Sequence, residues 1–308
     1  MAEMTTAMLP LAGQSNNCWV YNGTECNNRV HTSTDGVIYM INQVICLFGL
    51  SGNGLVLWFL TFNIQKNSFI IYIFSLAVAD FAFLLCCLFV ITVFAAEYFG
   101  SYNFPLCTLM HILYKMELFL YSSSMYFLTA ISTERCCCAL FPIWYRSYWP
   151  KWGSVSVSAV LWSLAIVFSG VNIFYCSLWV DPVCQNMTTV ITVVNLFIVT
   201  PFMILSSLAL FIKVRYCLQQ RYAGHLYTVI LLTVLCFIIF AIPLSIQLFL
   251  RELGYCKLPK CFYLLASVNS GINPVIYFLV GSHREKQFRE PLRYILYRAL
   301  NEEKNSTL

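Results

Sequence analysis

Five ionisable side chains stand inside apolar stretches of this sequence: Asp80, Lys115, Glu117, Glu134 and Arg135. A charge at the centre of a hydrocarbon layer costs about 2.5–3.5 kcal/mol on insertion scales, so each needs a partner or a task. Asp80 ends Leu76-Ala77-Val78-Ala79-Asp80, and Asn53, Ser124, Asn269 and Asn273 are polar groups midway along other apolar runs. A carboxylate among hydroxyl and amide oxygens is a hard-ligand set suited to a small cation such as sodium. The same residues would equally make a polar network that joins helices, and spacing alone does not choose. Glu117 and Arg135 are 18 residues apart, which on a helix is five turns, about 27 Å, along one face. Glu117 then looks into the outer half of a bundle, within reach of a cationic ligand. Its plainer role is a pair with a base such as Lys115 or Lys257, although Lys115 points elsewhere on the same helix. Arg135 follows Glu134 directly, and that neighbour can hold the guanidinium until something else competes for it.

No bond-making constellation accompanies them. The histidines are His31, His111, His225 and His283, with no serine–histidine pair, aspartate dyad or His-Glu-x-x-His motif. That excludes an enzyme. Cysteine spacing shows no zinc site either.

The elements that must hold these groups are membrane helices. Of 308 residues, 60% are apolar and 10% charged, with a mean hydropathy of +0.74; a soluble chain needs more charge to cover its surface. Stretches long enough to span a bilayer run over 37–62, 69–96, 105–138, 152–178, 187–216, 225–251 and 258–281. The sequence thus predicts an all-α bundle of seven transmembrane helices over 37–281, after an outer tail at 1–36 and before a cytoplasmic segment at 282–308. Pro201, Pro243 and Pro274 mark helices five, six and seven, and each removes a backbone hydrogen bond. Duplicated or matched broken halves, which a transporter would ask for, are not visible.

Basic residues cluster on one side. Lys66, Arg146, Lys151, Lys213, Arg215 and Arg221 lie in connections on the face that also carries the C-terminal Arg284, Arg289 and Arg298. The positive-inside rule puts that face in the cytoplasm and the N-terminus outside, with no cleavable signal peptide expected at the start. The net charge of +5 then belongs to a cytoplasmic surface rather than to a nucleic-acid partner. Asn22-Gly23-Thr24 is a glycosylation sequon on the outer tail, and Asn186-Met187-Thr188 a poorer one beside a helix. Cys136, Cys137, Cys138 and Cys217 sit near the cytoplasmic face, reduced or palmitoylated, while Cys46, Cys86, Cys87 and Cys236 are small packing residues within spans.

Several of these residues recur as ordered motifs. Gly52-Asn53-Gly54-Leu55-Val56, Leu76 to Asp80, Trp162 and Asn273-Pro274-Val275-Ile276-Tyr277 resemble, helix by helix, the pattern of rhodopsin-like receptors. Gly281 to Leu300 then reads as a short amphipathic helix on the membrane surface. Ser132-Thr133-Glu134-Arg135-Cys136 followed by Phe141-Pro142-Ile143-Trp144-Tyr145-Arg146 is similar to the Mas-related receptors. So are Leu226 to Leu235 and Ile242-Pro243-Leu244-Ser245-Ile246-Gln247.

The resemblance implies a plasma-membrane, multi-pass receptor that couples an extracellular ligand to a heterotrimeric G protein. It places coupling and activation on Glu134, Arg135, Pro142, Tyr145, Pro243, Asn273, Pro274 and Tyr277. It favours sodium at Asp80, Ser124, Asn269 and Asn273, with no other cofactor. It also implies a bond between Cys176 and Cys184 across the second outer loop. Some Mas-related members hold cationic ligands with a pair of acids, and the matching places here are Asn172 and Thr188. Glu117 is the acid left facing the cavity, with Tyr114, Tyr121, Asp181 and Gln247, a set suited to an amine or basic peptide. Ala241 replaces the usual tryptophan before the helix-six proline, and Ala209 a tyrosine of helix five. No acid opens helix six. These departures predict a loosely locked inactive state with basal signalling.

Overall fold

The computed structural model describes residues 20–21, 24–25, 33–63, 68–98, 107–150, 152–178, 183–217, 224–240, 242–252 and 261–282. Its helices are α1 (Ser33–Asn63), α2 (Ser68–Tyr98), α3 (Cys107–Leu140), α4 (Pro142–Tyr148), α5 (Gly153–Leu178), α6 (Val183–Val194), α7 (Thr200–Cys217), α8 (Gly224–Phe240), α9 (Ile242–Glu252) and α10 (Cys261–Ser282). A π-helical turn, Asn195–Val199, joins α6 to α7 as one span, and α8 with α9 forms another. Strands β1 (Val20–Tyr21) and β2 (Thr24–Glu25) pair antiparallel, Val20 opposite Glu25, in the N-terminal segment. The protein is an all-α seven-transmembrane bundle, because lipid offers no partner to an unpaired peptide group and the helix satisfies each one internally.

Six of the described runs are long and apolar enough to cross a bilayer. The seventh span is α3, whose 34 residues reach about 51 Å at 1.5 Å each. Glu117 and the run Ser122-Ser123-Ser124 dilute its apolar character, and all four are buried. These groups turn inward, as a central helix allows: α3 packs on α2, α5 and α7 at once.

The prolines act in three ways. Before Pro201 the ladder widens into the π-turn, and the Thr200 hydroxyl donates to the Asn195 carbonyl at 2.8 Å. Pro243 is the second residue of α9, just past Ala241, which lies outside the described residues. Pro274 lies inside a continuous α10.

Close approach fixes one crossing. A Cβ on Gly49 of α1 would stand 3.0 Å from the Gly271 Cα of α10 and 2.6 Å from Leu84 Cδ1. Only glycine there lets the two backbones touch. The core between the helices is apolar, with Tyr72, Phe83, Leu84, Phe127, Met203 and Phe237 fully enclosed. Trp162 of α5 rests on Phe127 at 5.2 Å and on Phe119 at 6.1 Å. The segment expected to form the surface amphipathic helix lies, beyond Ser282, outside the described residues.

Candidate functional site

At mid-bundle three helices meet on one carboxylate. Asp80 of α2 is completely buried. The Ser124 hydroxyl of α3 donates to Oδ1 at 2.9 Å, and the Asn273 amide of α10 donates to Oδ2 at 2.7 Å. Asn53 of α1 ties in through its Nδ2, which donates to the Gly49 and Ser270 carbonyls, each at 3.0 Å. Asn269 of α10 is buried as well. The amide oxygens of Asn53 and Asn273 are buried without a hydrogen-bond partner. Orphaned oxygens beside a carboxylate fit a hard cation. Below this cluster Leu76, Leu128, Ile131, Val234 and Tyr277 line an apolar layer, and it stands between Asp80 and the Arg135 end of the bundle.

The outer half is arranged differently from the sequence expectation. Glu117 is buried, and the Cys87 thiol of α2 donates to it; Cys46 of α1 lies close enough to feel its charge. The carboxylate therefore faces α1 and α2, and its Oε2 has no hydrogen-bond partner. Helical azimuth explains this, since a residue's spacing from Arg135 fixes its face but not which helices that face meets. Lys115 points away, as expected, and its ammonium donates to the Thr188 hydroxyl of α6 at 2.5 Å. Tyr114 joins a line of rings across four helices: Tyr39 to Phe94 at 6.1 Å, Phe94 to Tyr114 at 6.5 Å, and Tyr114 to Tyr263 at 6.4 Å. Deeper, Tyr121 shares a 2.6 Å hydrogen bond with Ser245 and stacks on Phe237. Gln247, two residues after Ser245 on α9, keeps its Oε1 buried without a partner.

At the C-terminal end of α3 Arg135 and Glu134 are both buried. Both oxygens of Glu134 are taken by hydroxyls, Oε1 from Tyr145 of α4 at 2.8 Å and Oε2 from Ser154 of α5 at 2.9 Å. Burial and the adjacent Glu134 carboxylate push the Tyr145 phenol well above its ordinary range, so it remains a donor. Pro142 starts α4 at a position that needs no N–H. Trp149 then stacks on Tyr145 at 5.3 Å and sits where a side chain on Gly153 would be, 2.7 Å from that missing Cβ. The α4 turn is thereby pressed onto α3 and α5.

Asn22, Asp181 and the side chains of Asn172, Cys176 and Cys184 lie outside the described residues. Cys261 begins α10 as a free thiol. Sequence reasoning missed Cys87 and Ser154, which carry no signal of their own. It also missed Asn195, an amide in an apolar run that the same polar-in-lipid argument would have flagged. Its Nδ2 donates to Ser122 at 2.7 Å, and Tyr126 donates to its Oδ1 at 3.0 Å, bolting the π-turn to α3.

Comparison with known proteins shows the family. Residues 52–277 match the family described as the 7 transmembrane receptor (rhodopsin family). The chain is 34% identical to the proto-oncogene Mas of Mus musculus over 87% of its own length and 84% of the relative's. It is 36% identical to Mas-related G-protein coupled receptor member D of Rattus norvegicus, covering 86% of each. The likeness to member X1 of Homo sapiens is also 36%, over 91% of this chain and 88% of the relative.

Proposed function

Because the chain belongs to the rhodopsin-like seven-transmembrane receptors, in their Mas-related branch, we propose that it takes a cationic extracellular ligand, a small amine or basic peptide, at Glu117. It is a membrane receptor that signals through G proteins, not an enzyme. The observation that carries the ligand class is the buried Glu117 carboxylate with one unpartnered oxygen. Tyr114 lies one turn above it in a line of aromatic rings. A carboxylate beside aromatic faces suits an ammonium, which gains both charge pairing and cation–π attraction.

Ligand contacts shift a standing equilibrium between closed and open bundles. In the closed form Tyr145 and Ser154 hold Glu134, and the apolar layer around Tyr277 and Leu128 is intact. Opening frees the inner ends of α3, α7 and α8 and presents Arg135 to the G protein. The orientation follows the basic residues, with the N-terminus outside the plasma membrane. We assign the Asp80 cluster to an allosteric sodium ion held by Asp80, Ser124, Asn269 and Asn273; when bound, it would neutralise the carboxylate and tie α2, α3 and α10 in the closed form.

The test is a screen of amines, basic peptides and neutral or anionic lipids on cells expressing this chain, read with several G-protein sensors. Cationic ligands are expected to activate, and Glu117→Gln to weaken them by roughly tenfold or more. Activation by anionic or neutral ligands alone, or unchanged potency in Glu117→Gln, would overturn the assignment.

A further inference from the structure

One polar group on the lipid-facing side of the bundle is only half used. Gln43 of α1 sits half-buried at the seam with α2, and its Nε2 donates to the Thr92 hydroxyl at 3.3 Å. Thr92 is exposed and donates its own proton to the Leu88 carbonyl at 2.6 Å, so it returns nothing to the amide. A primary amide has two N–H donors and a carbonyl oxygen that accepts. One N–H and the Oε1 of Gln43 thus have no partner among the described residues. The surface around them is apolar and outward-facing: Met40, Val44 and Leu47 of α1 are exposed, as are Leu85 and Phe89 of α2.

Depth keeps water from completing the amide. The apolar run of α1 is Gly36–Phe62, with Gly49 at its middle. Gln43 lies six residues before that midpoint, about 9 Å at 1.5 Å each, inside the ~15 Å half-thickness of the hydrocarbon layer. A polar group there stays costly until something bonds to it. Acyl chains offer nothing, and a lipid ester only accepts. What Gln43 presents, one donor beside one acceptor, is self-complementary, so two such amides close on each other through two N–H···O bonds. All copies cross the membrane in the same direction, which puts Gln43 of a second copy at the same depth. A two-fold axis along the membrane normal then brings the two amides together. Between spans in lipid, hydrogen bonds and packing drive association, since apolar surface alone gains nothing over lipid tails.

We propose that the seam of α1 and α2 is a homodimer interface, centred on a pair of Gln43 amides from two copies of this chain. The test uses the full chain with one fluorescent protein at its C-terminus, reconstituted at low density in phosphatidylcholine vesicles and read by single-molecule bleaching steps. Two-step spots are expected for the wild type, and Gln43→Leu should lower the association constant roughly tenfold. Independently of that variant, the photoreactive residue benzoylphenylalanine placed at Leu47 should crosslink one copy to α1 or α2 of another. The same group at Phe168, exposed on α5, should not. Single-step spots throughout for the wild type, equal association in Gln43→Leu, or crosslinking between copies from Phe168 and not from Leu47 would overturn the proposal. So would two-step spots that appear only when cholesterol is added, because the amide would then belong to a sterol hydroxyl.

Discussion

Removing the Tyr145 hydroxyl should raise basal signalling. In Tyr145→Phe the ring and its stack on Trp149 remain, and only the 2.8 Å hydrogen bond to Glu134 Oε1 is lost. A hydrogen bond to a charged acceptor contributes about 1.5–3 kcal/mol, and a part-exposed donor such as Tyr145 belongs at the low end. If that bond exists only in the closed bundle, its loss moves the closed–open equilibrium by about 1.5 kcal/mol, roughly tenfold. An open population of about 1% would then rise toward about 10%. The phenol is shifted upward, so the bond is fully present below its ordinary pKa of about 10 and is lost only as pH rises further. Basal activity should therefore not depend on Tyr145 ionisation in any medium cells tolerate. The assay is ligand-free G-protein dissociation by resonance energy transfer, normalised to surface receptor. Ser154→Ala, which strips the other Glu134 oxygen of its 2.9 Å donor, should act in the same direction, and the double variant should fall short of the summed effects because both bonds serve one carboxylate. Gly153→Ala pushes on Trp149 across 2.7 Å and should do likewise with both hydroxyls intact. Unchanged or lower basal signal in Tyr145→Phe and Ser154→Ala, at normal surface expression, would refute the reasoning.

Sodium should lower agonist affinity in the wild type several-fold between sodium-free and physiological buffer, and Asp80→Ala should abolish that dependence; radioligand competition in sodium or N-methylglucamine buffer reads it, and equal curves in both buffers for the wild type would remove the cation from the Asp80 cluster. Gly49→Leu should cost about 1–3 kcal/mol by overpacking, since its Cβ meets the Gly271 backbone and Leu84. It should lower both the thermal midpoint in detergent and the surface yield, whereas Gly170→Ala, with nothing within 4 Å of its added Cβ, should leave both unchanged.

Most of the architecture was readable from runs of apolar residues, because lipid tolerates few alternatives to a helix. The Asp80 cluster was readable too: Asp80, Ser124 and Asn273 are polar groups at matching depths in separate spans, and the structure brings Ser124 to 2.9 Å and Asn273 to 2.7 Å from the Asp80 carboxylate. Glu117 was found as a residue but not as an environment. Its partner Cys87 depends on how α3 is rotated against α2, and a thiol in an apolar run looks like packing. Glu134 shows the same limit. Its place beside Arg135 is plain in the sequence, but the donors to its two oxygens are not: Tyr145 and Ser154 stand 11 and 20 residues away on other elements. Pairs along one helix follow from spacing; pairs between helices follow from crossing geometry, which spacing does not carry. Pro243 was legible as a mark on span six, while the π-turn before Pro201 was not: Asn195 stands out as an amide in an apolar run, but its type does not say that the helical ladder widens there.

The central claim is that Arg135 at the inner end of α3 engages a G protein when the bundle opens. The direct measurement is nucleotide exchange on purified heterotrimeric G proteins by the full chain in nanodiscs, wild type against Arg135→Ala, with thermal unfolding to show that both are folded. The account predicts that the wild type accelerates exchange without ligand and faster with a cationic agonist, and that Arg135→Ala lowers both rates to that of empty nanodiscs. Exchange at wild-type rates in a folded Arg135→Ala receptor would contradict it.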